Sequence, residues 1–546
     1  MTAAINKASA GWWGWLGLCV LLVALRWNGL DAPLVRDEGE YAYAADILKV
    51  GLLPYEHAFL QKPPMIVYTY AVASAIAPHT FWFPRVLAGL SAALAACLLG
   101  WIARLEFGRG VGLPAAWLVT PMLLAPGLWQ FTANTEMFMI LPLLVTVAVY
   151  VVSRHRALAE QDASAESVPA PPAKRARCWL VAGSGAWFLA GALGAATVWY
   201  KYTAIPILAF LFAAWSIEQW RQGARAAMLA RLWLFGLLGA TMASLIVLSP
   251  FLVRDGARHL WECTVLFNRF YRSSATFGTA GFWSVLEALW IDWWVLFLLL
   301  PILLVRRRSR LWFWMGMFGA AWVSTGASAF GHYYVVVMPF WALLAAVAIH
   351  DLAALADSKL AWSEAGFRLT FTTAVVVVLC LPDLPWMVCR KEEFAAVKAG
   401  GGNPFVESMA VARRVAALTS PADRVFVAGS EPQILFYANR LSPTRFVILY
   451  PLMIPTPLAV GYQQEAEGEL ERHPPKVIVL ARSDTSWLRQ ARSPPGFVRF
   501  LEKLLADRYE QVGGWVVSGQ TGRWQEPLPD EDFASASLVL FRRKGP

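Results

Sequence analysis

The sequence predicts an α-helical polytopic membrane protein with a soluble α/β domain at its C-terminal end. Three observations predict it. The chain of 546 residues is 58% hydrophobic with 28 Trp, and only 15% of it is charged, against about 25% in a soluble domain. Apolar runs of roughly 18–22 residues recur, long enough for about 30 Å of hydrocarbon. After about Cys389 the runs shorten and alternate between strand-like and helix-like spacing.

The first run, from Gly11 to about Leu25, has no small-residue cleavage site after it and reads as a retained signal anchor. Further spans are expected near 83–103, 111–129, 136–153, 179–198, 202–219, 231–253, 286–305, 311–330, 333–350 and 367–387, about eleven crossings with the first. The segment 64–78 is apolar but too short to span, and charge decides its place. If it crossed, the basic turn "ARLEFGRG" and the basic loop 154–178 would face outward, against the bias of Lys and Arg toward the cytoplasm. It is therefore expected to lie in or dip into the outer interface.

With that parity, 31–82, 130–135, 199–201, 254–285, 331–332 and the tail share the outer side. Trp12, Trp13, Trp27, Trp82, Trp129, Trp199 and Trp386 fall near span ends, as interfacial anchors do. Arg154, Arg156, Lys174, Arg175 and Arg177 fall in one inner loop and Arg306, Arg307, Arg308 and Arg310 in another. The net charge of +10 thus reflects orientation in a membrane, not nucleic-acid binding. The loop 157–173, rich in Ala, Pro and Ser, reads as a flexible cytoplasmic excursion. Six scattered Cys without a CxxC give neither a disulfide framework nor a zinc site.

In the tail, "DRVFVAG", "KVIVL", "GGWVVSG" and "ASLVLFRR" read as strands, and "EPQILFYANR" and "GFVRFLEKLLADRYEQV" as helices. The domains expected are 1–388, transmembrane with an outer loop at 31–82, and 389–546, an extracytoplasmic α/β domain. "VFVAGSEP" lacks GxGxxG, so no nucleotide site is expected there.

The outer loop carries Asp37, Glu38 and Glu40 and closes with Lys62-Pro63-Pro64. Its helix, with Tyr41, Ala44, Ala45 and Leu48 on one face, suits an amphipathic helix on the membrane surface. The ordinary reading of Asp37 is an N-cap. That of Lys201 is a snorkelling lysine, that of His332 a satisfied structural histidine, and that of Glu136 a second helix cap. Together these groups suit a sharper chemistry. A carboxylate can take the proton of an attacking hydroxyl, and cations can hold a departing phosphate.

"RDEGEYAYAADIL…GLLPYEHAFLQKPPMIVYTYAVA" resembles the first outer loop of GT-C glycosyltransferases of family 39, which includes protein O-mannosyltransferases and bacterial aminoarabinose transferases. "FPRVLAGLSAALAACLLGWIARLEFG", "NTEMF", "WYKYTA" and "HYYVVVMPFWALLAA" fit the same resemblance, as does the tail from "DRVFVAGSEPQILFYANRLSPTRF". The resemblance implies the GT-C fold and a polyprenyl-phosphate sugar as donor. It implies a lipid, glycan or protein acceptor, and a place in the bacterial inner membrane with the active site outside.

By that resemblance Asp37 is the catalytic base and Glu38 its neighbour. Lys62, with Lys201, contacts the donor phosphate. Glu136, Tyr41, His332 and Tyr333 line the cavity. Family members that modify lipid A have Arg-Tyr after the acidic pair, where this chain has Glu40-Tyr41. The inserted outer domain of the protein mannosyltransferases is not present. The resemblance implies inversion by single displacement and no cofactor; a divalent metal would draw on Asp37, His57, Glu136 and His332. Rival readings are a transporter, a lipid-linked glycan polymerase or ligase or phosphate-modifying enzyme, and a non-enzymatic assembly or sensor protein.

Overall fold

In the computed structural model, residues 2–124, 126–128, 130–166, 172–271, 279–304, 308–360, 363–518 and 521–545 are described. Trp129, Arg306, Arg307 and the centre of the 157–173 excursion lie outside the described residues. The chain divides into two compact units: residues 1–27, 88–249 and 278–387, and residues 28–87, 250–277 and 388–546.

The first unit is helical. Helices α1 (Thr2–Leu30), α4 (Phe83–Phe107), α5 (Arg109–Leu124), α6 (Thr135–Glu166), α7 (Pro172–Tyr200), α8 (Ile205–Arg221) and α9 (Ala226–Val253) begin or run within it. Further helices follow at Thr279–Leu299, Leu311–Thr325, Met338–Leu360 and Glu364–Cys380. Each of the eleven expected spans falls on a helix. Seven of these helices, counted among the described residues, are long and apolar enough to cross a membrane.

Met338–Leu360 is the centre of this unit. Phe340 to Ile349 are all fully buried, as a segment apolar all round must be. It packs against α5, Leu311–Thr325 and Glu364–Cys380. The opposite extreme is α9, which exposes Leu234, Leu237, Leu238, Leu245 and Ile246. So large an exposed apolar face belongs in hydrocarbon, not water. Pro114 and Pro121 lie inside α5 and Pro142 inside α6, positions that membrane helices tolerate better than soluble ones.

The second unit joins a helical loop to a sheet. Helices α2 (Arg36–Lys49) and α3 (Met65–Ile76) pack on each other. With 12 residues, α3 is about 18 Å long at 1.5 Å per residue, short of a crossing. The sheet has the order β1-β2-β5-β3-β4, from β1 (Val425–Ala428), β2 (Val477–Ala481), β3 (Tyr509–Ser518), β4 (Thr521–Gln525) and β5 (Ala536–Arg543). β1 and β2 are parallel and the other pairs antiparallel. All four residues of β1 are buried, which is why a parallel strand reads as an unbroken apolar run. The four strands and two helices expected in the tail are present. The edge strand β4 and the helices Phe405–Leu418 and Ala459–Arg472 were not among them.

One expectation is corrected here. Helix α2 does not expose a polar face on a membrane surface, because Glu38 to Ala45 and Ile47 are all buried. Its second face is covered by the short helix Gln433–Ala438 of the tail. The approach is close enough that a Cβ on Gly39 would come within 2.6 Å of the Gln433 backbone nitrogen. The Tyr437 hydroxyl accepts from Leu34 N–H and the Tyr43 hydroxyl from Ser442 N–H, both at 2.8 Å. Asp46 and Lys49, paired at 2.9 Å near its C-terminal end, keep the polar character read from the sequence.

Candidate functional site

The residues singled out in the sequence divide between the two units. Asp37, Glu38, Tyr41 and Lys62 belong to the second; Glu136, Lys201, His332 and Tyr333 belong to the first.

In the second unit the helix start fixes everything else. The N-cap of α2 is Val35, so Asp37 is not the cap but lies in the first turn, where the helix dipole favours its charge. Glu38 reaches back to the Val35 N–H at 3.3 Å. It also takes Arg85 side-on, Nε to Oε1 at 2.9 Å and Nη2 to Oε2 at 2.5 Å, with both side chains fully buried. Arg85 spends its remaining donors on the carbonyls of Gly29, at 2.7 Å, of Pro33, at 2.9 Å, and of Ala32. One guanidinium thus clamps the turn 29–33 to the helix start, which a five-donor planar group can do and an ammonium cannot.

On the other side of Asp37, Arg36 is equally held. Its Nε donates to the Ser430 carbonyl and its Nη2 pairs with Glu431, each at 2.5 Å. Its guanidinium lies over the rings of Phe405 and Tyr450 at 5.6 and 5.7 Å. Between these two locked neighbours, half-buried Asp37 makes no side-chain hydrogen bond or ion pair among the described residues.

Lys62 is half-buried on a loop that is also pinned. The Tyr55 hydroxyl donates to the Lys62 carbonyl and Asn268 Nδ2 to the Gln61 carbonyl, both at 2.8 Å. Phe59 N–H donates to the Arg445 carbonyl at 2.6 Å, and the Phe59 ring meets Phe267 edge-on at 5.2 Å. Pro63 and Pro64 then lead directly into α3. Tyr41 is fully buried with its ring edge-on to Tyr70 at 5.5 Å, a packing contact.

Glu40, one turn after Asp37, was not among the residues singled out for chemistry. It is 4% exposed, and its Oε1 has no hydrogen-bond partner. Burial pushes its carboxyl up to about 8; the charge of Asp37 adds to this, and Lys62 and the Gln61 N–H oppose it. The available signal was its i,i+3 spacing from Asp37, which puts two carboxyls on one stripe of a helix.

In the first unit Glu136 opens α6, and Lys201 sits in extended conformation at the break after α7. Both are buried, and they form an ion pair. The Lys201 ammonium also lies 3.0 Å from the Tyr333 ring centroid, and His332 packs edge-on against Tyr333 at 4.9 Å. The charges read separately in the sequence are therefore partners. Among the described residues no three His, Cys, Asp or Glu come together in a way that could hold a metal ion.

No protein-family model and no curated protein matches the chain. Solved structures do. ArnT from Cupriavidus metallidurans bound to undecaprenyl phosphate aligns with a TM-score of 0.58 and 14% identity over 97% of both chains. The apo state of that protein gives 0.58 and 17% over 98% of each. The Archaeoglobus fulgidus oligosaccharyltransferase tethered with an acceptor peptide gives 0.52 and 13%, over 95% of this chain and 74% of that one. The shared architecture is the GT-C fold, and the chain is a multi-pass membrane protein of that fold.

Proposed function

We propose that this protein is a membrane glycosyltransferase that moves a sugar from a polyprenyl-phosphate donor to a hydroxyl of a lipid, glycan or protein. The work takes place on the outer face of the bacterial inner membrane. The observation that carries the reading is Asp37: a carboxylate with no side-chain hydrogen bond or ion pair among the described residues, held between two residues that are fixed by several bonds each. A structural cap would be satisfied; a base awaiting a hydroxyl is not. The fold supports the donor class, since ArnT was solved with undecaprenyl phosphate and an archaeal relative in fold, AglB, with a dolichol-phosphate.

The reaction follows from these groups. Asp37 takes the proton of the acceptor hydroxyl as its oxygen attacks the anomeric carbon. The bond from that carbon to the phosphate oxygen breaks, its electron pair stays on the phosphate, and the configuration inverts. Lys62 neutralises the charge that builds there. Glu38, both of whose oxygens are engaged, is a positioning residue for Asp37.

The test is transfer of radiolabelled sugar from a panel of polyprenyl-phosphate sugars in proteoliposomes. Labelled product is expected with the wild type and not with Asp37→Asn. Solute crossing the membrane with no transfer would favour a transporter and end this reading.

A further inference from the structure

Glu40 is a buried titratable group that the mechanism leaves unused. A buried carboxyl oxygen without a partner is costly, on the order of 1–3 kcal/mol, and such exceptions mark function or a missing ligand. The charged and titratable groups that face it are Asp37 on its own helix, Lys62 on the pinned loop, and the phenol of Tyr450. The neighbouring Gln61 N–H favours the charged carboxyl, and Oε1 is buried with no hydrogen-bond partner.

Two carboxyls a helical turn apart resist ionising together, and the proton stays on the more buried one. Here that is Glu40. Ionised, it would pair with Lys62 and repel any phosphate brought there. Protonated, it does not compete with a phosphate for Lys62 and offers an O–H of its own.

We propose that Glu40 binds the donor's phosphate as an uncharged carboxylic acid, donating its O–H to a phosphate oxygen beside Lys62. This rests on the glycosyl-transfer reading above. The site then presents one cation and one neutral donor to a phosphodiester that carries one charge. As the anomeric bond breaks, its electron pair moves onto the phosphate and the O–H···O⁻ bond strengthens. Glu40 keeps its proton throughout, and the acceptor's proton goes to Asp37. An interaction that tightens as charge develops lowers the barrier rather than merely adding affinity.

The probe is undecaprenyl phosphate, the leaving group itself. Its Kd is measured for the full-length protein between pH 6.5 and 9.5 for wild type, Glu40→Gln and Glu40→Ala, with a melting temperature for each preparation. Wild-type affinity is expected to hold below about pH 8 and to fall roughly tenfold by the top of the range, as the proton leaves. Glu40→Gln, which keeps a donor and cannot ionise, should bind like wild type at pH 7 and lose the alkaline fall. Glu40→Ala should bind about ten- to a hundredfold more weakly. If the alanine variant does not fold, the glutamine variant and the wild-type pH profile still decide. A flat wild-type profile, or a glutamine variant crippled at pH 7, overturns the inference alone. No binding by wild type at any pH removes the transferase reading together with it.

Discussion

Arg85 holds Glu38 through two parallel hydrogen bonds, at 2.9 and 2.5 Å, with neither side chain exposed. Because the same guanidinium also takes three carbonyls of residues 29–33, the backbone on both sides of Asp37 is set by one arginine. Arg85→Ala leaves a buried carboxylate uncompensated, which typically costs about 3–5 kcal/mol. A lower melting temperature is expected, together with loss of transfer. Arg85→Lys should recover only part of it, since an ammonium cannot make the side-on pair. An Arg85→Ala protein that melts like wild type would show that the clamp does not position the helix.

Lys62 gives a prediction of the opposite kind, large on function and small on stability. Its side chain is half-buried, and its loop is held by Tyr55, Asn268 and Phe59 through backbone groups. A charge-assisted contact to phosphate is worth about 1.5–3 kcal/mol. Lys62→Ala should therefore weaken donor use by roughly ten- to a hundredfold, with the melting temperature little changed. Unchanged donor affinity would take Lys62 out of the phosphate site.

The pair Lys201 and Glu136 is buried, and the ammonium rests on the Tyr333 ring. Removing one partner strands the other, whereas replacing both removes the penalty. Lys201→Met should destabilise the protein markedly, and Lys201→Met with Glu136→Gln should melt closer to wild type. Donor affinity then separates the roles. If the double variant regains stability and also donor affinity, Lys201 is structural and does not bind the phosphate.

The sequence made the helices legible because a membrane span needs a long apolar run and leaves little room for another pattern. The tail was legible where strands are buried apolar runs, as in β1 and β2, and obscure at β4, whose five residues TGRWQ carry no such run. Asp37 and Lys62 stood out as charges in an apolar context. Their supports did not. Arg85 lies 47 residues from Glu38 in sequence, and Gln433 lies 394 from Gly39, so no local spacing announces either contact. Helix α2 was misjudged for that reason: its polar residues suggested a wet face, and the tail that covers it arrives from nearly 400 positions away. The direct pairing of Lys201 with Glu136 was hidden in the same way, because 65 positions separate them in sequence.

Asp37→Asn tests the base directly. The substitution keeps the size of the side chain and cannot accept a proton. With Val35 as the N-cap, the structural cost is limited to a charge lost from the first turn, about 0.3–1 kcal/mol of dipole interaction, so the protein should melt within a few degrees of wild type. Undecaprenyl phosphate should still bind, since the groups assigned to it are Lys62 and Glu40. Turnover should fall by about 10²–10⁴-fold, the usual contribution of general-base catalysis. Asp37→Glu, which keeps the charge but moves it by a methylene, should recover a fraction of that loss. Binding, melting temperature and turnover measured on one Asp37→Asn preparation separate the possibilities. Loss of all three would mean that Asp37 holds the fold, and near-normal turnover would mean that another group takes the proton.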